Sequence, residues 1–276
     1  MLYQLHRPRP PLDEYIECLW LVTGGQAPRR DRILPSGTVE LVVNLRDDHI
    51  RIDRTERCAS AQSYSGAIVS GTYAAAFVVD AAQHAAMMGV HFRPGGAPPV
   101  LGVPSAVLAD AHVDLADLWG EPAAGELRER LCLEAAPEAR FRLLEEALLD
   151  RLAAGRRVHP AVRLALDRFG PDGCGASVGD VSRASGLSHR RLLTLFTSAV
   201  GLPPKRFCRI LRFQRAHAAA QRTGRIDWTE LALHCGFCDQ AHLVNEFRRL
   251  SGLTPRQYER ALEVRHHVLR GHVAMA

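Results

Sequence analysis

Two short sets of polar side chains, one repeat apart, carry the most chemistry in this sequence. Arg190, Thr194 and Thr197 fall on one side of a segment read at about 100° per residue, with Leu193 on its flank. In the second set Ala241, Asn245 and Arg248 share a side, and Gln240 lies near the start. A guanidinium fork donates to O6 and N7 of guanine, and a carboxamide pairs in the same bidentate way with adenine. Such residues also decorate plain solvated helix faces, so their types alone decide nothing. Their recurrence in one frame is what points to base-edge contact.

The elements that would hold them form a repeat. VSRASGLSHRRLLTLFTSAVGLPPKRF and LALHCGFCDQAHLVNEFRRLSGLTPRQY align with a period of 50 to 51 residues. Gly186 matches Gly236, Phe196 matches Phe247, and Leu202, Pro204 and Phe207 match Leu253, Pro255 and Tyr258. Two copies are too few for a solenoid and define a duplicated small unit. Each copy reads as helix, glycine turn, polar cap, helix. The turns are Gly186-Leu187 and Gly236-Phe237, and the caps are Ser188 and Asp239, whose side-chain oxygens accept from free N–H groups of the next helix. Gly201 and Gly252 supply stops, with prolines just beyond. Leu192, Leu195, Phe196 and Ala199 face a core in copy one, as do Leu243, Phe247 and Leu250 in copy two.

On these residues the stretch from about 158 to 260 resembles the DNA-binding domain of the AraC/XylS family. Gly236, Phe237, Asp239, Gln240, Phe247, Gly252, Thr254, Pro255 and Tyr258 stand as that family's signature has them, whereas Cys238 and Leu243 depart from it. The resemblance implies contact with double-stranded DNA through Arg190, Arg191, Leu193, Thr194, Thr197, Gln240, Ala241, His242, Asn245 and Arg248. Arg212 is assigned to the same interface, and with Arg209 and Arg215 it would neutralise phosphates.

Between the copies, 204–221 reads as one helix of about 18 residues, roughly 27 Å long. Two recognition helices on one face of B-DNA sit about 34 Å apart, so a rigid connector of this order suits successive major grooves. Charge agrees. Residues 1–154 carry a net of −6 and residues 155–276 a net of +11, so only the second half has the electrostatics for nucleic acid.

The first half changes period. Residues 32–46, 67–69, 77–79 and 87–92 are β-prone and separated by turn residues, which predicts a β-rich barrel or sandwich. LPSGTVELVVNL, GVHFRPGGA and the DLADLWG run resemble the N-terminal domains of some AraC-type regulators, which are often cupin-like sensors of a small ligand. The expected fold is therefore α+β. A β-rich, cupin-like barrel over 1–120 precedes a helical dimerisation or linker region over 121–154. An all-α DNA-binding domain with two helix-turn-helix motifs and a linker helix covers 155–265, and a fraying helical tail covers 266–276. In 121–154 the stripe Phe141, Leu144, Leu148 and Leu152 reads as packing on the β domain or as a dimer surface.

No nucleotide loop, serine-nucleophile motif or paired-carboxylate pattern supports an enzyme, and no catalytic residue is assigned. Cys235 and Cys238 lack a second pair for zinc, and His84 and His91 lack a matched partner, so no metal or cofactor is expected. Seven scattered cysteines, no signal segment and no long apolar run lead to the expectation of a reduced, cytoplasmic protein off the membrane. The function expected is a sequence-specific transcription regulator under an unknown small-molecule effector, an activator or a repressor. RNA polymerase and a second copy of the chain are candidate partners. The alternatives are a DNA-modifying or repair enzyme borrowing this DNA-binding domain, and a regulator whose N-terminal half only oligomerises.

Overall fold

The computed structural model describes residues 2–24, 30–53, 61–80, 83, 85–154, 157–170, 175–222, 226–263 and 272–274. Among the described residues, eleven strands fill two antiparallel sheets. One sheet runs β1 (Leu2–His6), β2 (Ile16–Thr23), β9 (Ala86–Phe92), β4 (Glu40–Asn44), β7 (Ala67–Ser70), β10 (His112–Asp114). The other runs β11 (His272–Ala274), β3 (Arg30–Ile33), β8 (Phe77–Asp80), β5 (His49–Asp53), β6 (Gln62–Ser65).

The six-stranded sheet is buried on both faces, and side-chain alternation shows how. Trp20, Ile68 and Met87 point towards the second sheet and meet Ile50, Ile52 and Val79. Leu19, Leu21, Leu41, Val69, Met88 and Val90 point the other way and are covered by helices. Those helices are α1 (Pro98–Leu101), α2 (Leu115–Trp119), α3 (Glu121–Leu133) and α4 (Pro137–Ala154). A strand covered on both faces reads as an apolar run, as CLWLV does here.

This layering settles the leucine stripe. Leu144 and Leu148 have no exposed surface and Phe141 very little, all three inside the core beneath the sheet. The dimer-surface reading of that stripe is therefore corrected: its apolar face is already covered by its own chain.

The second half is helical: α5 (Pro160–Phe169), α6 (Val178–Ser185), α7 (His189–Val200), α8 (Pro204–Ala220), α9 (Trp228–His234), α10 (Gln240–Ser251) and α11 (Pro255–Glu263). One core serves both repeats because α8 reaches into each. Its Phe207 meets Phe196 of the first unit at 5.6 Å between ring centroids, and its Phe213 meets Phe247 of the second at 5.0 Å. Tyr258 closes that cluster from α11 and shares a buried 2.7 Å hydrogen bond with His217 of α8.

The structure revises two expectations. The tail reads as helical to its end in the sequence, yet residues 272–274 form β11 and pair antiparallel with β3. The gain is physical: β3 would otherwise present an open sheet edge. Cys208 is disulfide-bonded, against an all-reduced set, while Cys18, Cys132, Cys235 and Cys238 are free. Among the described residues, no helix is long and apolar enough to cross a membrane. His84, Cys58, Cys174, Gly155 and Arg156 lie outside the described residues.

Candidate nucleic-acid interface

Each predicted turn and cap forms. In the first unit Gly186 takes φ 68°, and the Ser188 hydroxyl accepts from Arg191 N to open α7. In the second Gly236 takes φ 74°, and Asp239 Oδ1 accepts from His242 N at 2.7 Å to open α10. Ahead of the first unit, Ser177 and Asp180 form a reciprocal capping box on α6. Hydrogen bonds from Ser177, then the Arg183 guanidinium, hold the Asp180 carboxyl below its ordinary range.

The caps orient the two recognition helices. Arg190, Arg191 and Thr194 are exposed on α7, Leu193 and Thr197 are half-buried, and Leu192, Phe196 and Val200 are buried behind them. On α10, Gln240, Ala241, Asn245 and Arg248 are exposed, with Leu243, Phe247 and Leu250 buried. Several of these polar groups already have internal partners. Thr194 Oγ1 donates to Arg190 O at 3.0 Å, and Gln240 Oε1 accepts from Thr229 Oγ1 at 3.2 Å. The His242 ring accepts from Cys238 N and rests edge-on against Phe237, which makes it a buttress of the turn. Arg190, Arg191, Asn245 and Arg248 present the most accessible donors of the set.

The connector arginines do not behave as a phosphate row. Arg209 makes a two-pronged ion pair with Glu246, both hydrogen bonds 2.7 Å, and so fastens α8 to α10. Arg212 donates to Gly236 O at 3.4 Å and lies over the Phe237 ring at 5.8 Å, supporting the second turn. Glu246 was missed by sequence reasoning; the signal was a lone acid beside the core stripe of an otherwise basic helix. Cys235 is buried, and desolvation pushes its thiol pKa up against the opposing pull of Arg215, whereas Cys238 is exposed.

The N-terminal half packs against the far ends of both recognition helices. An added Cβ at Gly201, which ends α7, would crowd Thr72 Oγ1 and stand 3.0 Å from Ser105 O. One at Gly252, the equivalent stop of α10, would stand 2.7 Å from Arg32 Nη1. Ala76 N donates to Leu250 O at 2.9 Å, and Gln214 of α8 donates to Pro35 O. Leu34 joins the helical core itself, and Gly37 lies against Phe207 and Ile210.

Sequence comparison accords with this geometry. Residues 181–261 match the family model described as "Helix-turn-helix domain", and residues 4–114 match "Domain of unknown function (DUF6597)". No curated protein matches the sequence. The C-terminal domain of AraT from Geobacillus stearothermophilus is 20% identical over 38% of this chain and 88% of that one, at a TM-score of 0.34. An AraC-type regulator from Chromobacterium violaceum is 25% identical over 39% and 96%, at 0.34. ToxT from Vibrio cholerae covers 95% of this chain and 98% of its own, at 9% identity and a TM-score of 0.48. The duplicated, capped helix-turn-helix is the architecture of a DNA-binding domain. Residues 181–261 carry that helix-turn-helix domain, with a β-rich half in front of it.

Proposed function

We propose that the chain is a sequence-specific regulator that reads two adjacent major grooves with α7 and α10, under control of a small effector held by its N-terminal half. The observation that carries this is the polarity of the docking. The N-terminal half covers the Gly201 and Gly252 ends, while Arg190, Arg191 and Gln240 in the opening turns, and Asn245 one turn further on, stay exposed. Recognition helices meet base edges with their N-terminal residues, so the chain need not come apart to bind.

In this reading Arg190 and Arg191, with Leu193, Thr194 and Thr197, contact one half-site. Gln240, Ala241, His242, Asn245 and Arg248 contact the other. Arg212 acts indirectly, by supporting the Gly236 turn. Residues 155–265 form the DNA-binding unit, and 1–154 form the sensor because its helices share the sheet's core. RNA polymerase is the partner expected of a bound activator. A second copy, if recruited, would use a surface other than the α4 stripe.

The experiment is selection of bound duplexes from a random pool by the full chain, followed by affinity at several salt concentrations. Two half-sites about 10–10.5 bp apart and a steep loss of affinity with salt are expected. A single half-site, or binding indifferent to salt, sinks the reading.

A further inference from the structure

The first turn of α9 meets the first turn of α10, and one side-chain hydrogen bond joins them. Thr229 Oγ1 donates to Gln240 Oε1 at 3.2 Å, and both residues are exposed. Neither backbone is free to drift. Asp227 Oδ1 accepts from Thr229 N at 2.9 Å and from Glu230 N at 3.0 Å, which fixes the opening of α9. Between them Trp228 is buried, donates from Nε1 to Glu259 at 2.9 Å, and lies edge-on to Phe247 of α10. Asp239 caps α10 immediately before Gln240. Threonine is branched at Cβ and has few rotamers, so its hydroxyl stays where the helix start puts it.

This bond decides which half of the carboxamide is offered to a base. A carboxamide has one acceptor oxygen and two N–H donors. Bidentate pairing with adenine asks the oxygen to accept from N6 while the nitrogen donates to N7. In Gln240 the oxygen is already drawn towards α9 by Thr229. The two Nε2 hydrogens are what the side chain has left for a base edge. In the major groove guanine shows two acceptors, N7 and O6, and no donor. Adenine and cytosine each show an amino group, which would face the amide hydrogens, and thymine sets one acceptor beside a methyl group. The first unit has no counterpart of this pair, because Gly179 stands fifty positions before Thr229 and has no side chain to offer.

We infer that Thr229 is a positioning residue that sets the base read by α10. It turns the Gln240 oxygen back towards α9, presents the Nε2 hydrogens outward, and so selects guanine over adenine. The inference rests on the regulator reading and adds a specificity determinant. That determinant sits on the first helix of the unit, which crosses the DNA backbone, rather than on the one in the groove. Removing the hydroxyl frees the oxygen to turn outward beside the nitrogen, the arrangement that adenine requires.

The test is selection of duplexes from a random pool by the full chain and its Thr229→Val, Thr229→Ser and Gln240→Ala variants. Affinities for the four duplexes that differ at one base pair follow, with thermal unfolding of each protein. Valine keeps the shape of threonine without the hydroxyl, at an exposed position, so Tm should match the parent. The pair read by Gln240 is the one whose preference disappears in Gln240→Ala. There the parent should favour guanine over adenine by at least about fivefold. Thr229→Val should level that preference or turn it to adenine while leaving the α7 half-site as in the parent, and Thr229→Ser should keep guanine. An A·T pair selected by the parent overturns the inference, as does Gln240→Ala with every preference intact. Thr229→Val that weakens all four duplexes by one factor, or none of them, overturns it too and leaves Thr229 at most a phosphate contact. A parent that enriches no duplex sinks the regulator reading and this inference together. Two enriched half-sites with any of the other contrary results sink the inference alone.

Discussion

Docking of the two halves makes a sharp prediction at two glycines that sequence treats as equals. Gly186 and Gly201 both take positive φ, 68° and 88°. Alanine in that region costs about 1–2 kcal/mol from Cβ–carbonyl crowding. At Gly186 an added Cβ meets nothing within 4 Å, so Gly186→Ala should cost only that. At Gly201 the Cβ would crowd Thr72 Oγ1 and approach Ser105 O, a backbone atom that cannot rotate away. Overpacking of this kind adds about 1–3 kcal/mol, for a total of about 2–5. Each kcal/mol moves Tm by about 2–4 °C in a unit of 150–250 residues. Scanning calorimetry on the full chain should therefore show Gly201→Ala lowering Tm about twice as far as Gly186→Ala, with part of the loss recovered by Thr72→Ala. Equal shifts, or no recovery, would refute a tight contact between the N-terminal half and the end of α7.

Other predictions rest on single contacts. A maleimide should label exposed Cys238 well before Cys235, whose burial keeps it protonated and shielded; equal labelling rates would contradict that placement. Arg209→Gln should cost about 1–3 kcal/mol, given a charge-assisted pair that is only partly buried, and should weaken binding at the α10 half-site more than at the α7 half-site. An equal loss at both would mean the pair does not position α10. Leu148→Ala should lower stability by about 2–5 kcal/mol with molar mass by light scattering matching the parent. A change of mass without a change of stability would restore the dimer surface.

Much of the helical half was legible because its signals are local. Glycine turns, side-chain caps and the spacing of Phe196 and Phe247 act within a few residues, and all formed as read. The β-rich half was legible only where strands were apolar. β4, β7, β8 and β9 were anticipated, whereas β1, β5, β6 and β10 carry polar residues along their length and are fixed by pairing with another strand. Nothing local in LYQLH or QSYS specifies a strand; pairing with β2 and β5 does. The candidate interface divides in the same way. The exposed faces of α7 and α10 followed from helical periodicity. The engagement of Arg209 by Glu246 and of Arg212 by Gly236 O did not, because each joins residues more than twenty positions apart. The Thr229–Gln240 hydrogen bond was likewise invisible, since the turn must fold before the two side chains meet.

The central claim is that two exposed helix starts each read their own half of one site. The most direct measurement is the affinity of the full chain, Arg190→Ala and Asn245→Ala for a selected duplex and for versions scrambled in one half. Each substitution should cost about 1–3 kcal/mol on the selected duplex. Arg190→Ala should lose nothing further when the α7 half is scrambled, and Asn245→Ala nothing further when the α10 half is. If both variants weaken selected and scrambled duplexes by the same factor, these side chains touch only backbone and the account of recognition is wrong.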